Sequence, residues 1–232
     1  MAELTTRRIA AAALAVTDER GVSGFTMRAV AKRLGVTPMA LYHHVEDKAG
    51  LVALLVDEVI SERPLPPPTG HWRDDLYEVA RWMRESTLAH PAVARLRNSF
   101  GVWTPAIFPM TERWLSLWQQ SGLELQTAML AASASSTAII GFVEQELVLA
   151  ETEPPDDAML SQFPNARFAF DAGPPGASEF ELVVRSLVDG LLASLGRDGA
   201  ERNGQGATTP ERQAPQARPE RVRGAAPARG RR

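Results

Sequence analysis

Residues 26–48, TMRAVAKRLGVTPMALYHHVEDK, confine this chain more tightly than any other stretch. They spell two short helices around a tight turn. Thr26 offers an N-cap hydroxyl to the free backbone N–H groups of a helix start. Ala29, Val30, Ala31 and Leu34 then give an apolar side at helical spacing. Gly35 stands where the left-handed residue after a helix is cheapest. Val36 follows as a plug. Thr37 caps a second helix, with Pro38 at its first position, where a missing N–H costs nothing. Leu41 and Val45, four apart, face inward. Met39 with His43, and Ala40 with His44, then fall as (i, i+4) pairs on the outer face. Tyr42 lies at the flank. Two helices crossing over so short a glycine turn make a helix-turn-helix, whose outer face enters the major groove of DNA. An ordinary helical hairpin buried in a core fits the same spacing.

The run from Arg8 to Leu55 resembles the N-terminal DNA-binding domain of the TetR family of ligand-responsive repressors. The likeness rests on four features. These are the Ala-rich first helix ending in Glu19-Arg20-Gly21, the run F-T-M-R-A-V-A-K-R-L-G-V, the run L-Y-H-H-V, and Asp47-Lys48 followed by Leu51. Carried over residue by residue, the resemblance implies that Arg28, Met39, Ala40, His43 and His44 face bases. It implies that Thr26, Thr37, Tyr42 and Lys48 hold phosphates. The chain departs from the family at Pro38-Met39-Ala40, which replace more polar readers. Less hydrogen bonding and more contact with thymine methyls would follow.

Charge supports a local nucleic-acid face. Residues 1–60 carry seven Lys/Arg and seven Asp/Glu, residues 61–196 nine and seventeen, and residues 197–232 nine and four. An acidic middle does not wrap nucleic acid, but phosphate binding needs only a local basic cluster. Arg7, Arg8, Arg28, Lys32, Arg33 and Lys48 lie in or beside the proposed face.

Helix one is expected from Thr5 to Glu19, with Ile9, Ala12, Ala13, Leu14 and Val16 on its packing side, and Phe25 as a core anchor. Asp47 caps a fourth helix, Lys48 to Ile60. Its apolar arc is wide, as for a helix buried between two bodies. SERPLPPPTG, residues 61–70, is a proline-rich break. From His71 the pattern is helical: 71–88, 91–97, 104–120, 124–150 and 178–195. Residues 151–177 are expected to be an irregular loop whose Phe163, Phe168 and Phe170 touch the body. The Gly-, Pro- and Arg-rich residues 197–232 are expected to be a disordered basic tail. The expected fold is all-α. A three-helix helix-turn-helix domain with a connector helix (1–60) and a linker (61–70) precede a larger helical ligand-binding and dimerisation domain (71–196).

HWRDDLYEVARWM and WLSLWQQSGLELQTAMLAASASSTAIIGFVEQE are similar to the ligand-binding domain of tetracycline-repressor-type members. The resemblance implies that helices 124–150 and 178–195 build a four-helix interface in a homodimer. Both helices could instead fill a monomer core. Dimerisation has a second warrant: one reading helix contacts few base pairs, so two copies on a palindromic operator, ~34–36 Å apart, supply the specificity.

All five tryptophans lie between 72 and 118. Aromatics at helical spacing ordinarily fill a core, and so many in one domain can also line a pocket. The family implies such a cavity. Trp82, Trp103, Phe108, Trp114 and Phe142 are the expected ligand-binding set, for a small hydrophobic or aromatic effector. His71, Arg81, Glu144, Gln145 and Glu146 are polar candidates near it. The tetracycline repressors hold a magnesium ion through a histidine. No histidine follows Pro91 here, and Val79 stands at the phase of a pocket asparagine, so tetracycline and its metal are not expected.

There is no cysteine, which excludes disulfides and thiolate sites and fits a cytoplasmic protein. No apolar run approaches the ~18 residues of a membrane span, and no membrane partner is expected. The P-loop, G-x-G-x-x-G, G-x-S-x-G and H-E-x-x-H signatures are missing, so no enzyme, cofactor or metal site is expected. Two alternatives stay open: a DNA-binding regulator or activator without a ligand, and a helical small-molecule binding protein.

Overall fold

The computed structural model describes residues 3–205, with side chains described through residue 196. The described chain is all-α, and its first four helices begin at the caps the sequence supplies. Helix α1 (Thr6–Gly24) starts on Thr5, whose Oγ1 accepts from the Arg8 N–H at 3.3 Å. It runs past the expected end at Glu19. Gly21 leaves the helical region at φ 64°, ψ −168°, and a last turn continues beyond that kink. Helix α2 (Met27–Leu34) is capped by Thr26, whose Oγ1 accepts from Ala29 N–H at 3.1 Å. Gly35 ends it in the left-handed region at φ 69°, and the Val36 N–H returns to the Ala31 carbonyl at 3.0 Å. Helix α3 (Pro38–Tyr42) is a short turn and a half capped by Thr37. Helix α4 (Lys48–Glu62) is capped by Asp47, whose Oδ1 accepts from the Gly50 N–H at 2.8 Å.

Beyond the proline-rich stretch come α5 (Trp72–Ala89), α6 (Pro91–Phe100), α7 (Phe108–Gln120) and α8 (Leu125–Glu151). Helix α7 begins at Phe108, four residues later than the expected start at 104. The Ile107 N–H closes a turn onto the Thr104 carbonyl at 3.0 Å, and Pro109 serves as the first-turn proline instead. Residues 151–177, expected to be irregular, hold α9 (Asp157–Leu160) and α10 (Pro164–Asp171). Asp156 caps the first of these, accepting from Met159 N–H at 2.7 Å, and Pro164 opens the second. Phe163 and Phe168 are exposed rather than packed on the body. Helix α11 (Ala177–Gln205) continues past residue 196, so the backbone at 197–205 is helical where a disordered tail was expected. The rest of that tail, 206–232, lies outside the described residues.

Two apolar cores organise the chain. The first joins Ile9, Val16, Phe25, Val30, Leu41, Leu51 and Leu55 of the head to Val93, Leu96 and Ile107. Each large side chain buried there stabilises by about 1.5–3 kcal/mol. The head is therefore not closed at the proline-rich stretch, because α6 completes its core. The second core gathers Leu76, Val79, Trp114, Trp118, Ala131, Ile139, Val143, Phe180, Val184 and Val188 from α5, α7, α8 and α11.

One expectation about membranes needs correcting. Among the described residues α8 is long and apolar enough to cross a membrane, with one third of its most apolar stretch buried. Uninterrupted apolar runs miss it because Ser133, Ser135, Ser136 and Thr137 break them, while the surrounding Ala, Leu and Ile keep the average high. Its buried face, Ala128, Ala131, Ala132, Ser135, Ile139 and Val143, is satisfied within the second core.

Candidate nucleic-acid interface and interior cavity

Leu41 is fully buried, and its burial turns the rest of α3 outward. Met39 is 68% exposed and Tyr42 49% exposed, and His43 and His44 are exposed beside them. Ala40 is half-buried. An exposed methionine and tyrosine on one short helix are not needed by the fold, since the core beneath is complete without them. Arg28, one helix earlier, is also exposed. Arg28 and Lys32 have no ion-pair partner among the described residues, whereas Arg33 is tied to Glu19 at 2.6 Å. Thr26 and Thr37 spend their hydroxyl oxygens as caps, which leaves the hydroxyl hydrogens to donate outward.

Lys48 is placed by aromatic rings. Its Nζ lies 5.4 Å from the Phe25 ring centroid and 5.6 Å from that of Phe100 in α6. Both contacts are within cation–π range and hold the ammonium without neutralising it.

A half-open cavity of about 110 Å³ lies between α4, α5, α6, α8 and the start of α7. Val56, Val59, Ile60, Met83, Val93, Met110, Ile139, Ile140 and Val143 make it mostly apolar. Ser86, Thr87, His90 and Arg97 supply its polar atoms. Of the five aromatics expected in a pocket, only Trp82 lines it, with its indole N–H donated to the Arg63 carbonyl at 3.0 Å. The other four stand elsewhere. Trp114 is buried in the second core, donating to the Ala132 carbonyl and meeting Trp118 edge-on at 6.5 Å. Phe142 packs on Phe180 at 5.4 Å. Trp103 and Phe108 are exposed and pair with each other at 6.2 Å. Helical spacing cannot tell a core aromatic from a cavity aromatic, because both faces are apolar.

The polar candidates are also placed elsewhere. Glu146 is ion-paired with Arg84, whose Nε lies 2.9 Å from its Oε2. Glu144 accepts from Arg95 at 3.3 Å, and Arg81 donates to Glu78 at 2.9 Å. His71 and Gln145 are exposed, and Val79 is wholly buried in the second core.

The cavity residues that sequence reasoning missed had one signal. Val93, Leu96 and Arg97 fall at i, i+3 and i+4, so Arg97 sits on the apolar side of α6. A charge on that side is out of pattern. Among the described residues no cluster of three or more His, Cys, Asp or Glu could hold a metal.

Residues 9–55 match the family model for bacterial regulatory proteins of the tetR family. Residues 63–195, more than half the chain, match that for the tetracyclin repressor-like C-terminal domain. The chain belongs to the TetR family. It is a TetR-family transcriptional regulator with a helix-turn-helix head. This TetR-family chain is 29% identical over 205 residues to an HTH-type transcriptional regulator of Saccharopolyspora erythraea, covering 83% of this chain and 86% of the relative. It is 30% identical over 201 residues to the tetracycline repressor protein class A from transposon 1721 of Escherichia coli, covering 82% and 92%. Among solved structures it is similar to the TetR family protein ActR of Streptomyces coelicolor in complex with actinorhodin. The TM-score is 0.64 at 26% identity, covering 84% of this chain and all of that one.

Proposed function

We propose that this TetR-family regulator is a cytoplasmic, homodimeric repressor that binds a palindromic operator and leaves it when a small hydrophobic effector fills the cavity. The observation that carries the proposal is the exposed outer side of α3 over a complete core. Met39, Ala40, His43 and His44, with Arg28, face base edges. Thr26, Thr37, Tyr42 and Lys48 hold phosphates.

Dimerisation runs through the outer faces of α8 and α11. Met129, Ser133, Thr137 and Gly141 are exposed along α8, and Leu182, Ser186 and Gly190 along α11. A Cβ added at Gly141 or Gly190 would meet nothing within 4 Å, so nothing inside one protomer requires glycine there. Small side chains at four-residue spacing suit the close approach of helices from a second copy.

Release follows from population shift. An effector that binds one dimer shape better than the other moves the two reading helices relative to the groove. The cavity touches α4 through Val56, Val59 and Ile60, and α4 carries Lys48 at its other end, which supports that route. Two relatives bear on the ligand arm. ActR is solved with actinorhodin, and the class A relative is a tetracycline repressor.

Selection of genomic fragments on the purified protein tests the proposal. One palindrome should be enriched, and Tyr42→Ala with Lys48→Ala should abolish the enrichment. No enriched palindrome, or one that survives the double substitution, overturns it.

A further inference from the structure

We propose that the cavity is built for an organic acid: an apolar ring system whose carboxylate or sulfonate is held by Arg97 and Ser86. This rests on the ligand arm of the proposed function and gives its chemical class. Nine arginines lie between residues 63 and 196. Eight have an acceptor. Arg63, Arg73, Arg81, Arg84, Arg95, Arg167 and Arg185 pair with carboxylates, and Arg113 donates to the Pro66 carbonyl. Arg97 is the exception among the described residues. Its Nε is buried without a hydrogen-bond partner, and it lines the cavity.

The cavity wall contains no Asp or Glu to offset that charge. The other titratable wall residue, His90, is already engaged by Asp18 and Glu62, each at 3.1 Å. Ser86 Oγ, also in the wall, is buried and unpartnered too. Two donors without acceptors in one apolar cavity call for one acceptor group. Burial depresses the Arg97 pKa, yet a guanidinium does not give up its proton in a protein. A buried N–H without an acceptor is destabilising, so the retention of Arg97 at this place points to a partner that comes and goes. The Trp103 ring lies 5.8 Å from the guanidinium carbon and covers one face of it. The edge that remains has the fork geometry that matches a planar carboxylate or a sulfonate.

A matched pair of fluorescent probes tests this on the full chain. The anion is 8-anilinonaphthalene-1-sulfonate; N-phenyl-1-naphthylamine is the same ring system without the sulfonate. The wild type should prefer the anion. Arg97→Met should weaken the anion by about tenfold or more while changing the neutral probe by less than about threefold. Arg97→Lys should fall between. Ala94→Phe, which fills the cavity from α6, should weaken both probes. Equal affinity for the two probes in the wild type overturns the acid class and leaves the ligand arm standing. So does an equal loss of both probes in Arg97→Met, which would mark the arginine as structural. Binding of both that survives Ala94→Phe overturns the site. Binding of neither probe overturns this inference and the ligand arm together.

Discussion

His90 Nδ1 stands 3.1 Å from Asp18 Oδ1, joining the start of α6 to α1 of the head. The other ring nitrogen lies 3.1 Å from Glu62 Oε2 at the end of α4, and the same ring forms part of the cavity wall. One side chain thus touches the cavity, the head and the connector helix. Pairs this exposed contribute about 0.2–1 kcal/mol each. A double-mutant cycle with His90→Ala and Asp18→Ala, read by urea unfolding, should return a coupling energy in that range. Hydrogen exchange should speed up in the last turn of α4 and leave α11 unchanged. A coupling of zero, or exchange that rises evenly along the chain, removes the link.

Lys48 and His43 should fail in different ways. Lys48 is a charge held by two rings, so Lys48→Ala should weaken all DNA sequences alike. It should reduce the slope of log affinity against log salt by about one. His43 is exposed at the C-cap of α3, so His43→Ala should change preference at one base step by about 1–3 kcal/mol and leave the salt slope alone. Binding to a panel of operator variants at three salt concentrations separates the two. Identical behaviour of both variants would count against their division into phosphate and base contacts.

Gly141 and Gly190 are open-faced within one protomer. Leucine is a better helix former than glycine by roughly 0.5–1 kcal/mol. Gly141→Leu with Gly190→Leu should therefore keep or raise the thermal stability of the isolated fold while splitting the dimer. Light scattering coupled to size exclusion reads the mass, and far-ultraviolet dichroism reads the fold. A dimer that persists puts the interface elsewhere.

Asp75 fastens the proline-rich stretch to α5, accepting from the Thr69 N–H at 2.7 Å. Burial alone would push its carboxyl up. Hydrogen bonds from Thr69 and Gly70, with the charge of Arg113, outweigh burial and hold it below the usual carboxylate value. A carboxyl depressed on folding contributes stability that is complete above its unfolded value. That contribution is lost as pH falls through the folded value. Asp75→Ala should cost about 1–3 kcal/mol at neutral pH. The gap to wild type should narrow as pH falls from 5 to 2. A gap that stays constant with pH would show that the charge contributes nothing.

Four helix starts, the helix-turn-helix and the exposed side of α3 could all be read from residues 5–48, because caps, turn glycines and first-turn prolines act through bonds three or four residues long. Thr5, Thr26, Thr37 and Asp47 each meet an N–H that near, and the two short helices past Glu151 arise from the same chemistry at Asp156 and Pro164. The cavity obeys different physics. Trp82, Trp114 and Phe142 carry equally apolar side chains at helical spacing, and only the crossing of α4, α5, α6 and α8 sends one to an empty space and the others to Ala132 and Phe180. Apart from the local pairs Arg81–Glu78 and Arg185–Glu181, the acceptors of the other paired arginines are likewise settled at a distance along the chain, up to 116 residues for Arg73 and Asp189, as is the lone state of Arg97. Local hydrogen bonding is written in adjacent residues, whereas burial and partnership depend on which distant helices pack together.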